Sequence, residues 1–426
     1  MKQTVIEHLV EKSREGSYYS LPFQVPEGVC AVTVSYRYPK LAGNIIDLGL
    51  ENAQGQFLGW SGSGRSSVTA GEFDATPGYL MAPVQAGTWR ILIGAYHVQA
   101  GGVKVRYEIS FREPSKQWLF GDLHVHSDAS DGQHDIPTLA QKAKKLGLDF
   151  LAVTNHNNYS ENFSLPRVPG LTLIPGVEWT HYKGHMNFLG IQQPFSGSFI
   201  ANDLTQMRRI TREARESGAL VSVNHPKCSL CPYLWEDDRS FQLVEVWNGP
   251  MRQVNRDAIV WWTELLRQGR RIPAVGGSDF HRDRGPVRLG NPVTAVYADS
   301  PSIGDILAAV AQGRSYVTGG VHGVRLDLQC GGQTFGAVMD GGCAWELTFG
   351  AERMPVGSVL RVIGQNGVLA ERKPDRGAIR ETIQISGTGF AYLLAALLLP
   401  GGGTYPLAVS NPIYFVPERE QSHGTC

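Results

Sequence analysis

Histidines and carboxylates follow apolar, strand-like runs at five places along this chain. Six of its twelve histidines, with one Glu and two Asp, belong to these clusters. They are His124-Val-His126 with Asp131, Asn-His156, Glu178 with His185, Asn-His225-Pro and Asp279-Phe-His281. Residues two apart on a strand point to the same side, so each His-x-His or Asp-x-His pair is expected to face one point. The chain is therefore expected to fold with several strand ends around one polar centre.

The residue types in these clusters predict a metal centre. Imidazoles and carboxylates suit divalent ions such as Zn, Mn or Fe, because they supply nitrogen and hard oxygen without needing sulfur. A single histidine is more often a surface or core residue. That explanation does not account for two same-side pairs and three further strand-end ligands within one domain.

The composition limits the classes of partner that the protein is expected to bind. Lys plus Arg and Asp plus Glu number 39 each, so no overall charge favours nucleic acid or a membrane surface. The first residues lack a continuous apolar segment of the signal-peptide type, and no run is long enough to span a bilayer. Six cysteines in 426 residues do not indicate a disulfide framework. We expect a cytoplasmic protein with a small-molecule partner, and homo-oligomer formation stays open.

The pattern of apolar residues changes twice along the chain. Residues 18–112 alternate in short runs typical of a β-sandwich. From about residue 118, buried strands alternate with helices predicted over 135–146, 202–217, 255–268 and 302–312, which favours an α/β barrel. After Gly319 only strands return. The predicted domains are 1–115, an N-terminal β-sandwich; 116–318, a distorted (β/α) barrel; and 319–426, a C-terminal β-sandwich.

The motifs resemble those of the polymerase and histidinol phosphatase superfamily, usually called the PHP domain. Its pattern of His-x-His with a following Asp, Thr-Asp-His, Glu, His-Pro and a late Asp-x-His is similar to residues 118–317. The flanking β-domains and Ser410-Asn-Pro-Ile-Tyr also resemble the carbaryl-hydrolase branch. The resemblance implies two or three divalent ions (Mn, Zn or Fe), with Glu178 and Asp279 as bridging carboxylates. The ligands it implies are His124, His126, Asp131, His156, Glu178, His185, His225, Asp279 and His281.

The function expected from these residues is metal-dependent hydrolysis. The favoured substrate is a small phosphate mono- or diester, attacked by a metal-activated hydroxide while Asp279 or His225 handles the proton. Cations near the motifs, foremost Arg282 and then Lys183 and Lys227, are expected to bind the phosphate. The alternatives are a carboxyl- or carbamate-ester hydrolase at the same centre, and an inactive metal-binding or glycan-binding protein.

Two further features stand out. Asn155 replaces the Asp of the usual Thr-Asp-His, so we expect an imidazole to lose an orienting carboxylate and one metal to bind more weakly. Cys228 and Cys231 form a Cys-x-x-Cys after His225. No second cysteine pair follows at zinc-finger spacing, so neither a metal role nor a redox role is assigned from the sequence.

Overall fold

The computed structural model describes residues 2–40, 43–235, 238–374 and 376–417. These residues are mostly in sheets, with few helices. They form two compact units: unit 1 comprises Met1–Ser115 with Arg167–Gly170, and unit 2 comprises Lys116–Pro166 with Leu171–Cys426. No described helix has the length and hydropathy needed to cross a bilayer.

Unit 1 consists of two antiparallel sheets, ordered β1-β8-β3-β6 and β2-β7-β4-β5. Its strands are β1 (Lys2–Val10), β2 (Ser17–Val25), β3 (Ala31–Arg37), β4 (Ile45–Glu51), β5 (Phe57–Gly62), β6 (Ser67–Gly71), β7 (Gly87–His97) and β8 (Val103–Arg112), with a short 3₁₀ helix at Lys12–Arg14. Alternate residues of each strand point inward. Val34 and Ile109 from the first sheet and Leu48 and Ile93 from the second are buried in one hydrophobic cluster.

Unit 2 begins with strands and helices in alternation. In chain order they are β9 (Gln117–Val125), α1 (Ile136–Leu146), β10 (Phe150–Val153), a 3₁₀ helix (Ser160–Phe163), β11 (Thr172–His181), β12 (Gly184–Leu189), α2 (Leu204–Glu216), β13 (Leu220–Val223), β14 (Leu243–Asn248), α3 (Gln253–Arg267), β15 (Ala274–Gly277), β16 (Val293–Ala298), α4 (Ile303–Ala311) and β17 (Ser315–Thr318). Side-chain hydrogen bonds cap the starts of α1, α2 and α4. Asp135 accepts a hydrogen bond from the Thr138 amide at the start of α1, and Gly147 ends that helix in a left-handed conformation.

Strands β9 to β15 are neighbours in one sheet, in the order β15-β14-β13-β12-β11-β10-β9. Six of them run in the same direction, and β12 is antiparallel to both of its neighbours. The two outer strands of this series also meet. Val125 and Phe280 form a parallel bridge, and the Asp279 amide donates to the His124 carbonyl over 2.9 Å. The carboxyl ends of the six parallel strands therefore lie around one centre.

Strands β12 and β17 were absent from the sequence expectations. Strand β12 is buried at most of its positions, but His185 and Asn187 break the continuous apolar run that marks the other buried strands. Helix α3 begins at Gln253, two residues before the predicted start.

The C-terminal strands form two groups. They are β18 (Arg325–Cys330), β19 (Val338–Asp340), β20 (Trp345–Glu352), β21 (Ser358–Gly364), β22 (Gly367–Arg372), β23 (Ala378–Ile385), β24 (Gly389–Leu398), β25 (Thr404–Ser410) and β26 (Ile413–Val416). Strands β18, β20 and β23 make a separate sheet, whereas β25 pairs with β17, so that the long sheet of unit 2 continues into this region. Unit 2 continues past residue 318 without a boundary. The three-domain division stays a prediction.

Asn411 joins three segments of unit 2 through its buried side chain. Its Oδ1 accepts from the Ala274 amide, and its Nδ2 donates to the Ala274 carbonyl over 3.0 Å. Nδ2 also lies 2.9 Å from Ser315 Oγ. Both backbone groups of Ala274, at the start of β15, therefore depend on one side chain that is 1% exposed.

We expect Asn411→Ala to lower the free energy of unfolding of unit 2 by about 3 kcal/mol, because it leaves buried polar groups of Ala274 without partners. Urea unfolding followed by tryptophan fluorescence measures the loss. The exposed Asn202 provides the control, since Asn202→Ala should change stability by less than about 0.5 kcal/mol. Equal stabilities for the two variants would contradict this role.

Candidate metal centre

Asp122 ties the end of β9, with His124 and His126, to the loop after β15. This buried carboxylate accepts hydrogen bonds from the amides of His124 and Ser278 over 3.2 and 2.8 Å, and from the Gly290 amide over 2.9 Å. Burial raises the pKa of Asp122 to about 6. A Cβ atom at Gly277 would come within 2.5 Å of His124 Cβ, so this close approach of β15 to β9 requires glycine.

Glu178 lies at the middle of the centre and is fully buried. Five imidazoles have a nitrogen within ion-pair distance of its carboxylate. The distances are 3.3 Å for His124, 3.5 Å for His126, 2.8 Å for His156, 3.1 Å for His185 and 3.3 Å for His225. One carboxylate therefore brings together ligands that four separate strands and their following loops supply.

Two further carboxylates, Asp279 and Asp131, contact His281 and so complete the cluster. Asp279 Oδ1 is 3.4 Å from His124 Nε2, 3.1 Å from His126 Nε2 and 3.6 Å from His281 Nδ1. Asp131 Oδ1 is 3.3 Å from His281 Nε2 and 3.7 Å from His156 Nε2. The structure thus gathers all nine predicted residues.

Some of the nine residues occupy positions in the strands and loops other than those predicted from the sequence. Glu178 lies within β11 rather than at its end, and His185 is near the start of the antiparallel strand β12. Asp279 comes after β15 and has a left-handed backbone with φ 54°, so strand alternation does not aim it with His281. His225 is also left-handed, with φ 29°. Such backbone strain is common where a functional side chain must be held in one direction.

Hydrogen bonds at Nδ1 direct the imidazoles of His124 and His281 so that Nε2 faces the other ligands. His156 instead turns Nδ1 toward Glu178 and Nε2 toward Asp131. His124 Nδ1 lies 3.0 Å from Glu245 Oε1, and His281 Nδ1 lies 2.8 Å from the Asp279 carbonyl. His156 Nδ1 lies 2.7 Å from Thr180 Oγ1, whose own proton goes to the Glu178 carbonyl. These partners assign the proton to Nδ1 and leave the Nε2 lone pair available.

Three groups of ligand atoms in the described chain are compact enough to hold a cation, with all atoms of each group within 4.8 Å of one another. They are His126 with Asp131, His156 and His281; His124 with His126 and Asp279; and His185 with His225 and Cys231.

Buried ligand atoms without good hydrogen bonds show that the centre fits metal ions. His124 Nε2, both ring nitrogens of His126 and Glu178 Oε2 are buried and make no well-aligned hydrogen bond with the described residues. Their nearest contacts are ion-pair distances within the cluster, such as 3.1 Å from His126 Nε2 to Asp279 Oδ1 and 2.8 Å from Glu178 Oε2 to His156 Nδ1. Buried polar atoms without good hydrogen bonds are costly and rare, so four at one point indicate a place for a further bound group. Divalent cations match this set of nitrogen and oxygen donors.

The pKa values in this cluster follow from burial and opposite charge. Burial alone would raise the pKa of Glu178, but His124 and the other imidazoles hold it well below its usual range. Burial lowers the pKa of His126 to about 4. An ionised carboxylate and a neutral imidazole are the forms that bind metal.

Glu245 is a site residue that the sequence reasoning missed. Its side chain is buried on β14; Oε1 contacts His124, and Oε2 accepts from the His225 amide over 2.9 Å and from Asn248 Nδ2 over 3.1 Å. A carboxylate beside a ligating histidine fixes the ring and raises its basicity. The available signal was a charged residue inside the apolar run Leu243-Val-Glu-Val.

Asn155 has a different role from the one expected. Its Oδ1 accepts from the Ser127 amide over 2.8 Å and from Ser130 Oγ over 2.9 Å, and its Nδ2 donates to Glu161 Oε2 over 2.9 Å. None of these described hydrogen bonds reaches an imidazole. Asn155 therefore fixes the loop that leads to Asp131, and an amide suits it because the facing group is itself a carboxylate.

The predicted phosphate-binding cations lie on exposed loops. Lys183 Nζ is 5.1 Å from the centroid of the Trp235 ring, and Lys227 Nζ is 5.3 Å from that of Trp261. Arg282 is exposed directly after His281, and its side chain makes no hydrogen bond or ion pair with the described part of the chain. Its guanidinium is therefore the freest of the three.

Comparison with known proteins identifies part of unit 2. Residues 122–218 match the family described as PHP domain. A phosphoribosyl 1,2-cyclic phosphate 1,2-diphosphodiesterase from Eggerthella lenta is 27% identical over 134 residues, which are 27% of this chain and 51% of that protein. The 5'-3' exoribonuclease Rnm from Salmonella typhimurium is 32% identical over 127 residues, which are 27% of this chain and 40% of that protein.

A crystal structure of a two-domain protein from Bacteroides vulgatus, described as containing a predicted PHP-like metal-dependent phosphoesterase, is also similar. It is 18% identical, covers 69% of this chain and 95% of its own, and has a TM-score of 0.39. The chain spans about half or less of the length of the two curated relatives. The matched range contains six of the nine clustered residues, namely His124, His126, Asp131, His156, Glu178 and His185, whereas His225, Asp279 and His281 lie beyond it. Residues 122–218, most of which lie in unit 2, are therefore similar to a PHP domain.

Proposed function

We propose that this protein is a metal-dependent phosphoesterase that hydrolyses small phosphate mono- or diesters. The observation that carries the proposal is the group of buried ligand atoms on His124, His126 and Glu178 that make no well-aligned hydrogen bond. We further propose that strands β9 to β15 form the distorted barrel expected from the sequence, with the cluster at its carboxyl edge.

The nine clustered residues would hold two or three divalent ions of the Mn, Zn or Fe type, with Glu178 and Asp279 placed to bridge. Divalent ions at such a site lower the pKa of water toward neutrality and polarise a phosphoryl oxygen. Glu178 is 1% exposed, so its part is to hold the ligands together.

Asp279 is the better placed of the two residues expected to move a proton. Its side chain is 25% exposed, whereas that of His225 is 7% exposed. Asp279 Oδ1 also lies within reach of the imidazoles of His124 and His126. We assign the acceptance of the proton to Asp279, and to His225 a ligand role.

Two observations favour a phosphate ester over a carbamate or carboxyl ester. Both curated relatives that share the matched segment carry names of phosphodiester-cleaving enzymes. The exposed guanidinium of Arg282 follows a clustered histidine, and its planar fork matches phosphate oxygens.

The proposal is tested by reconstituting the protein separately with Mn, Zn and Fe and assaying p-nitrophenyl phosphate, bis-p-nitrophenyl phosphate and a naphthyl carbamate in parallel. We expect hydrolysis of at least one phosphate ester, lost together with bound metal in His124→Ala and Asp279→Ala. Turnover of the carbamate alone would replace the proposal with its ester-hydrolase alternative. Metal-free protein that cleaves none of the three would indicate a binding protein.

Glu245→Gln should weaken metal binding by about 10- to 100-fold, because His124 loses the carboxylate that orients it. Competition with a chromogenic chelator measures the affinity. The matched control is Glu264→Gln, which removes an exposed carboxylate from α3. Unchanged affinity in Glu245→Gln would show that this contact does not support the centre.

Arg282→Ala should raise KM for the phosphate ester by about tenfold, the value of one lost hydrogen bond to a charged group, while metal content stays unchanged. Steady-state kinetics on metal-loaded protein measure KM for each variant. Arg212→Ala, at an exposed position of α2, controls for a general loss of positive charge. A KM shift shared by both variants would exclude direct phosphate binding by Arg282.

A further inference from the structure

Two cysteines outside the proposed reaction lie beside one of its metal ligands. Cys231 Sγ is 3.2 Å from Cys228 Sγ and 3.6 Å from Nδ1 of His225. The other ring nitrogen of His225 faces Glu178 over 3.3 Å. The imidazole therefore connects the thiol pair to the central carboxylate.

The loop that carries the pair holds the sulfurs together. The Cys228 amide donates to the His225 carbonyl over 2.8 Å, and the Leu230 amide donates to Cys228 Sγ over 3.4 Å. A disulfide bond is about 2.05 Å long, so the sulfurs need to approach by only about 1.2 Å. Little rearrangement of the loop is needed for a bond to form.

The pair is also accessible to a small reactant. Both cysteines are only partly buried, and Leu230 between them is 92% exposed. Cys30 and Cys330 are buried in contrast. An oxidant from solvent can reach the loop without opening the core.

We propose that Cys228 and Cys231 are a modification site, at which a hydroperoxide forms a reversible disulfide. One thiol, as thiolate, attacks the peroxide oxygen and becomes a sulfenic acid, with release of water. The second thiol attacks the sulfenic sulfur, forms the S–S bond and releases a second water. Two thiols are oxidised, one hydrogen peroxide is reduced to two waters, and a dithiol reductant reverses the change.

The disulfide alters the environment of His225. In the dithiol form, the Cys231 sulfur is a hydrogen-bonding neighbour of Nδ1. Once bonded to Cys228, the sulfur loses its proton and moves, so the ring is less firmly directed at Glu178. We therefore expect the affinity for the metal held by Glu178, His185 and His225 to fall by about tenfold. This consequence rests on the proposed function, which supplies that metal.

The bond itself is tested on metal-free protein with hydrogen peroxide, followed by iodoacetamide and peptide mass spectrometry. We expect a peptide containing Cys228 and Cys231 that has lost two hydrogens, resists alkylation and returns to two alkylated cysteines after dithiothreitol. Alkylation of both residues after peroxide treatment, or oxidation of either to sulfinic acid without a bond, would overturn the proposal. This readout requires neither metal nor activity.

The consequence is tested on zinc-loaded protein, because zinc does not itself react with peroxide. We expect peroxide to weaken zinc binding in the wild type and in Cys343→Ser, which keeps the pair. Cys228→Ser retains the sulfur beside His225 but cannot form the bond, and should keep full affinity. A disulfide that forms without any change in zinc affinity would overturn the link to His225, while absence of zinc binding before oxidation would count against the proposed function instead.

Discussion

A single buried carboxylate, Glu178, determines how the centre of unit 2 is assembled. An ionised carboxylate away from water is costly unless it is paired and hydrogen-bonded. Five imidazoles lie within 3.5 Å of Glu178, and Asn224 Nδ2 donates to Oε1 over 2.9 Å. Because these partners come from β9, β12 and the loops after β10 and β13, satisfying one charge requires the correct order of several strands.

A second layer of buried polar groups holds the ligands in direction. Asp122, Glu245 and Thr180 each fix a backbone or an Nδ1 atom, and the left-handed backbones of Asp279 and His225 aim their side chains inward. Such a strained backbone conformation persists only where many surrounding contacts hold it in place. The protein's own hydrogen bonds thus hold these ligands in direction, and such preorganisation reduces the reorganisation that metal binding requires.

Local signals made much of this fold predictable. Caps such as Asp135 and Ser302 mark helix starts, and short buried runs mark strands β10, β13 and β14. The clustered residues were predicted as a group because their types and spacing occur together. Strand β12 was missed because the polar residues His185 and Asn187 interrupt its apolar run, although Asn187 is buried.

Tertiary contacts account for what the sequence did not reveal. Glu245 meets His124 across 121 residues, a pairing that no local pattern predicts. Asn155 follows the motif in position but faces Ser127 and Glu161, so its role depended on which loop packs against it. The direction of Asp279 likewise depends on a left-handed backbone rather than on strand alternation.

The most direct test of this account is a crystal structure of the metal-loaded protein with anomalous diffraction recorded at the absorption edge of the bound metal. The account predicts two or three anomalous peaks coordinated by His124, His126, Glu178 and Asp279 and their clustered neighbours. Well-ordered protein in which these imidazoles and carboxylates bind only one another, with no anomalous peak among them, would contradict it.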